Sequence, residues 1–262
     1  MGLQGGLIDW DGVIAKTPER QFKWFREWAR QNNIEFTYDT LEEFLAVYNK
    51  IISEKSAQGV YDAFGLPCEM SNPQHPVWPA YDHFKATNPV EMYDGIEQAL
   101  IDVWKLGRLN ANSSRNQTMR LAINTTNSWK SIYPDLVRFG IDYLFDSYCT
   151  AETLHNFEGS GNSAALHKPS KVSVALMLHI LGSEGRTTFH LGDTIGDLRA
   201  SYDIRRHGGI NSETLITIGA AWGFEGRAVL EKGYSANDSG TIHFTHIIDH
   251  PSELPKIIKA YR

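Results

Sequence analysis

After Pro89 the sequence alternates between two periodicities. Short apolar runs, "MRLAIN" (119–124), Tyr143 to Cys149, "TTFHLG" (187–192) and "TLITIGAAW" (214–222), are separated by stretches with apolar residues at helical spacing. Those stretches run from Ile96 to Leu106, near Tyr133 to Phe139, from Pro169 to Leu181 and near Leu198 to Tyr202. A run that is apolar almost throughout has no solvent-facing side, so it reads as a strand buried on both faces. Such strands alternating with helices imply a mostly parallel sheet covered on both sides. A short strand, "TIHFTHII" (241–248), and a terminal helix close the pattern.

One strand stands apart. Gly5 to Trp10 is a buried strand entered through glycines, and no comparable run follows until after Pro89. Thr17-Pro18-Glu19 reads instead as a helix start, with a capping hydroxyl, a proline in the first turn and an acid near the positive end of the dipole. Phe22, Phe25, Trp28 and Ala29 continue it as an aromatic stripe, read as core. A second helix is expected from Leu41 to Ser56, and five prolines between 65 and 90 suggest irregular connections between short helices. The chain's 262 residues suffice for a main domain with a smaller insertion. The expected architecture is α/β: a Rossmann-like, mostly parallel sheet flanked by helices, with an inserted all-helical cap domain. Residues 1–15 and 91–262 form the core and residues 16–90 the cap.

In open parallel sheets, ligands gather beyond the carboxyl ends of the strands. The first strand ends in Asp9 and Asp11, which on an extended backbone point the same way. The next ends in Asn124, Thr125, Thr126 and Asn127, and "TTFHLG" runs into Asp193 and Asp197. His167-Lys168-Pro169 precedes a helix. Four aspartates converging on one crevice repel one another unless some are protonated or a cation lies among them. All-oxygen ligation points to a hard cation, with Mg2+ the best match for a phosphate-bearing substrate. One of Asp9 and Asp11 can attack while the other handles the proton. Thr125 can donate to a phosphoryl oxygen, with Thr126 the alternative, and Lys168 can neutralise nucleophile and transferred group, with Lys171 its competitor. Asp197 has a plainer reading as a helix N-terminal acid.

Net charge is −6 with no basic run, which argues against nucleic acid or an anionic membrane surface as the main partner. Cys68 and Cys149 are the only cysteines, too few for a disulfide framework. With no basic, apolar leader and no membrane-length run, a cytoplasmic location is expected. "GSGNSA" (159–164) matches a dinucleotide-binding pattern by letter but lacks the preceding strand, so it reads as a loop. The polar stretch 107–118 precedes a strand, which puts it at the end of the sheet away from the crevice. His243, His246 and His250 read as a chance cluster, and His190 as a core histidine.

The four clusters, in order, resemble the motifs of the haloacid dehalogenase-like hydrolases: "DWDG" (9–12), "LAINTT" (121–126), "HKPS" (167–170) and "GDTIGD" (192–197). "DGVIAKTPE", "YDGIEQAL" and "GAAWGFEG" look nearest the phosphoglycolate phosphatase and phosphomutase branch. The resemblance implies a magnesium-dependent phosphatase for a small phosphorylated metabolite, monomeric or homodimeric, working through an aspartyl-phosphate. It implies Asp9 as nucleophile, Asp11 as general acid/base, and Asp9, the main-chain carbonyl of Asp11, Asp193 and Asp197 as metal ligands. Phosphonatase, sugar phosphomutase, dehalogenase and a non-catalytic binding module are the alternatives. A phosphonatase would need a cap lysine such as Lys50 or Lys55; with Arg20 and Arg26 these also read as a solvated face. Trp10, Val13 and Asn127 depart from the family pattern, Asn127 standing where many relatives place lysine.

Overall fold

The computed structural model describes every residue except 1–2, 55–56, 70–71, 73, 109–117, 160–162, 184–185, 208–214, 237–239 and 262. Lys55, most of the 107–118 stretch and the centre of "GSGNSA" lie outside the described residues. The chain divides into two compact units, Met1–Ala15 with Met92–Arg262, and Lys16–Glu91.

The Lys16–Glu91 unit is helical: α1 (Thr17–Gln31), α2 (Leu41–Glu54), α3 (Ala57–Ala63) and α4 (Val77–Thr87). Its core is aromatic. Trp24, Phe25, Trp28 and Ala29 of α1 pack with Phe44 of α2, Val60 and Tyr61 of α3, Phe64, and Val77 and Phe84 of α4. The Phe25 ring lies 4.9 Å from Tyr61, 5.1 Å from Phe64 and 5.4 Å from Phe44. The two indole N–H groups stay satisfied, Trp24 donating to the Tyr61 hydroxyl (2.7 Å) and Trp28 to the Pro67 carbonyl (2.8 Å). The expected stripe is rotated slightly: Trp24 is fully buried and Phe22 only half-buried. Thr17 does not cap α1. Lys16 holds that position, Thr17 and Pro18 form the first turn, and no side chain caps the helix end.

The other unit carries eight strands among the described residues: β1 (Gly5–Ile8), β2 (Arg120–Asn124), β3 (Ser147–Cys149), β4 (Thr188–Gly192), β5 (Leu215–Ala220), β6 (Tyr234–Ala236), β7 (Gly240–Ile242) and β8 (His246–Ile248). Six form one sheet in the order β3-β2-β1-β4-β5-β8, with every neighbouring pair parallel. Its helices are α5 (Ile96–Arg108), α6 (Trp129–Phe139), α7 (Ala151–Glu158), α8 (Val172–Ile180), α9 (Ile195–His207), α10 (Gly226–Lys232) and α11 (Leu254–Ala260). Every residue of β1, β4 and β5 is buried, as two-sided cover requires. Leu7, Ala122 and Cys149 pack with Val174, Met177 and Leu178 of α8 and Ala200 and Ile204 of α9, while α5 packs on β2 and α11. Strand order runs one way from β1 to β2 and the other from β1 to β4, so the crevice of a doubly wound sheet opens beside the end of β1. No helix among the described residues is long and apolar enough to cross a membrane.

"TIHFTHII" is not one strand. Gly240–Ile242 pairs antiparallel with β6 in a separate hairpin, and His246–Ile248 joins the main sheet beside β5. Between them Phe244 drops into a cluster with Leu198 and Leu230, and Thr245 exchanges hydrogen bonds with Thr217. The three histidines have separate partners: His243 the Glu231 carbonyl, His246 the Tyr261 hydroxyl, and His250 the Ser252 hydroxyl. Helix α6 begins four residues before Tyr133, because Ser128 accepts from the Ser131 amide and Pro134 falls inside the helix rather than at its start. Helix α7, capped reciprocally by Thr150 and Thr153, has no strong apolar period and was not expected.

Phe25 touches rings from three other segments of the helical unit. Phe25→Ala is expected to cost about 3–5 kcal/mol of stability in urea unfolding. A loss below about 1 kcal/mol would mean that this aromatic packing is not what holds the unit together.

Candidate active site

Asp9 extends β1 by one ladder bond, its amide donating to the Leu191 carbonyl at 2.9 Å. Its Oδ1 accepts from the Trp10 amide (2.7 Å), and its Oδ2 lies 2.7 Å from Lys168 Nζ. The same ammonium lies 2.7 Å from Asp197 Oδ1, at the start of α9 beyond β4. One buried lysine therefore ties together the ends of two adjacent strands. Asp197 Oδ2 accepts from the Thr194 hydroxyl (2.7 Å), closing the turn into α9. Lys171 instead occupies the position just before α8, without capping it through its side chain.

Asp193 completes the group. Its Oδ2 accepts from the Phe224 amide (2.7 Å), while Oδ1 is buried with no hydrogen-bond partner. Asp9, Asp193 and Asp197 each offer an oxygen within 4.8 Å of the others. Backbone closes around Asp193: a side chain on Gly12 (φ +70°) or Gly223 would collide with its carboxyl.

Two carboxylates thus hold one ammonium, with a third beside them, all out of water. Burial pushes the Asp9 carboxyl up to about 7; Lys168 opposes the shift, and the charges of Asp197 and Asp11 add to it. Burial, with Asp9 and Asp197 nearby, raises Asp193 well above the usual carboxylate range. Burial works against the Lys168 charge, but Asp197 and Asp9 outweigh it and hold the ammonium protonated. Burial likewise opposes the Asp197 charge, but Lys168 overcomes it and lowers that carboxyl. Burial lowers His190 to about 4, so it is neutral; its Nδ1 bonds the Ser201 hydroxyl (2.7 Å) and its Nε2 stands 3.8 Å from Asp197. Excess buried negative charge, an unpartnered carboxylate oxygen and an all-oxygen donor set fit a hard divalent cation held by Asp9, Asp193 and Asp197.

Asp11 stands apart from this triad. Its Oδ2 accepts from the Thr125 hydroxyl (3.2 Å), and the Asn127 amide nitrogen reaches Oδ1 (2.9 Å) and Oδ2 (2.7 Å). Thr125 is buried and its hydroxyl also accepts from the Asn127 backbone amide (3.1 Å). Thr126, the alternative, is exposed. Trp10, between the two aspartates, is buried and stacks on Phe139 of α6 with centroids 5.9 Å apart, so its bulk fills the space beside the sheet.

Two contributors escape the sequence reading. The Phe224 amide holds Asp193, and the half-buried Glu225 accepts from the Ile195 amide (2.6 Å) at the start of α9. Burial raises the Glu225 carboxyl to about 7, opposed by that hydrogen bond. An acid flanked by Phe224 and Gly226 in a turn carries no period that would mark it as buried.

The chain belongs to the haloacid dehalogenase-like hydrolases, whose family profile matches residues 7–205. Solved structures share the fold over nearly the whole chain. A candidate β-phosphoglucomutase of Thermotoga maritima is 17% identical with TM-score 0.59, covering 99% of this chain and 100% of its own. A predicted phosphoglycolate phosphatase of Haemophilus somnus is 15% identical with TM-score 0.63, covering 97% of each chain. A candidate hydrolase of the same superfamily from Bacillus subtilis, solved bound to magnesium, is 14% identical with TM-score 0.61, covering 98% of this chain and 99% of its own. No curated protein sequence matches the chain.

The raised Glu225 gives a stability test. A carboxyl whose folded pKa is about 7 against an ordinary 4.5 carries no penalty below pH 4.5 and the full penalty above pH 7. Glu225→Gln keeps a carbonyl for the Ile195 amide and removes the charge. It is expected to be as stable as the parent near pH 4.5 and more stable at pH 8, by about 1–3 kcal/mol. Equal melting temperatures at pH 8 would show that Glu225 is not held in a costly charged state.

Proposed function

We propose that the protein is a magnesium-dependent phosphatase that hydrolyses a small phosphate monoester through an aspartyl-phosphate. The observation that carries this reading is the Lys168 ammonium bridging Asp9 and Asp197 beside the unpartnered Asp193 oxygen. With a divalent cation among the three acids, it would be a compact charge arrangement suited to an anionic group at Asp9. Family membership and a magnesium-bound relative of the same fold support it.

In this mechanism an Asp9 oxygen attacks phosphorus while the bond to the leaving oxygen breaks. Asp11 gives its proton to that oxygen. Asp11 then takes a proton from water, which attacks the aspartyl-phosphate and releases phosphate, regenerating Asp9. Lys168 offsets part of the burial that raises the Asp9 carboxyl and neutralises the incoming phosphoryl group, to which Thr125 donates. A cation held by Asp9, Asp193 and Asp197, with the Asp11 carbonyl, would supply charge neutralisation for the phosphoryl oxygens. The helical unit takes the role of the cap that selects the leaving group, and the location is cytoplasmic. The phosphoglucomutase among the fold relatives supports phosphosugar transfer as the second reading.

The test is phosphate release from a panel of small phosphate monoesters, with and without magnesium. Parent protein is expected to release phosphate only with magnesium, and Asp9→Asn to lose about a thousandfold or more. Failure of the parent on every ester, or an Asp9→Asn variant as active as the parent, rejects the phosphatase. Conversion of a phosphosugar to its isomer without free phosphate selects the mutase.

A further inference from the structure

The donors around Asp11 raise a question of stoichiometry. A threonine hydroxyl carries one proton. At Thr125 the Asn127 backbone amide occupies a lone pair (3.1 Å), and the hydroxyl proton is directed to Asp11 Oδ2 (3.2 Å). The Asn127 side chain donates to both oxygens of the same carboxylate, at 2.9 and 2.7 Å. Asp11 thus presents two anionic oxygens to two neutral donors at the end of β2, much as a phosphoryl group would. The Thr125 proton cannot serve Asp11 and a substrate phosphoryl oxygen together.

We propose that Asp11 and the incoming phosphoryl group exchange on the Thr125 and Asn127 donors, and that Asn127 is the positioning residue that parks Asp11 there between turnovers. The inference rests on the phosphatase reading, which places a phosphoryl group at Asp9 and Thr125. Asn127 is uncharged, so its hold on Asp11 is one that a phosphoryl dianion can displace; a lysine there would pair with the carboxylate far more firmly. Displacement takes these two donors from Asp11 once the phosphoryl group is in place, which is when the carboxylate is needed as the base for the attacking water. The departure from the family pattern at Asn127 thereby acquires a purpose.

Inorganic phosphate binding, measured calorimetrically at saturating magnesium, tests the exchange in four proteins: parent, Asp11→Ala, Asn127→Ala and the double variant. Removing the internal competitor should tighten phosphate binding by about fivefold or more in the parent background. Loss of a nearby negative charge alone would also tighten it, but equally in both backgrounds. Exchange requires that the Asp11→Ala gain shrink at least about threefold when Asn127 is absent. Asn127→Ser, with its shorter side chain, should behave as Asn127→Ala and stands in if the alanine variant does not fold. Equal gains in both backgrounds, no gain from Asp11→Ala, or no phosphate binding by any protein overturns the exchange. Turnover by the parent is read separately: equal gains with magnesium-dependent turnover remove the exchange and leave the phosphatase. Absent turnover with the predicted coupling removes the phosphatase and leaves a competing anion site.

Discussion

Lys168 is the cation on which the arrangement at the carboxyl ends of β1 and β4 depends. A carboxylate taken out of water is costly unless a partner compensates it. Asp9 and Asp197 are both almost fully buried, and each lies 2.7 Å from the same ammonium. The segment before α8, the end of β1 and the start of α9 are therefore drawn to one point by charge as well as by the apolar packing beneath. One positive charge cannot neutralise three carboxylates. The deficit falls on Asp193, whose second oxygen has no partner, and on Asp9, whose carboxyl is pushed up to about 7.

That deficit lies where the sheet's topology puts a ligand. Because the chain after β1 leads to β2 and the chain after β4 leads to β5, the two connections leave adjacent carboxyl ends in opposite directions and leave a gap between them. The acids come from the strand ends that border this gap. Close backbone approach finishes the job: Gly12, at positive φ, and Gly223 let main chain pack against Asp193, and the Phe224 amide fixes one of its oxygens.

The parallel sheet was legible because β1, β4 and β5 are buried on both faces and so are apolar almost throughout. Positions at strand ends follow from that reading, which is why Asp9, Asp11, Thr125, Asp193 and Asp197 stand out, while Lys168 stands out by the proline that follows it ahead of a helix. What the sequence hides is set by partners distant along the chain. Nothing local says that Phe224 will donate to Asp193, or that Glu225 will accept from the Ile195 amide. The split of "TIHFTHII" has the same origin. Alternation continues across Phe244 and Thr245, but contacts with Leu198, Leu230 and Thr217 break the strand there.

Two carboxylates two residues apart need unlike surroundings if one is to attack while the other moves a proton. The structure supplies the difference through neighbours rather than through separation. Asp9 lies against a permanent cation, within reach of two further buried acids. Asp11 lies on two neutral donors, a hydroxyl and an amide, and is only half-buried. A cation favours the charged form of a carboxylate, while a neutral donor orients it with a weaker hold. Trp10, fixed by stacking on Phe139, turns the backbone between them into a rigid spacer, so the two environments are kept apart by packing. The asymmetry needed for paired acid chemistry is therefore built into three consecutive residues by what each one faces.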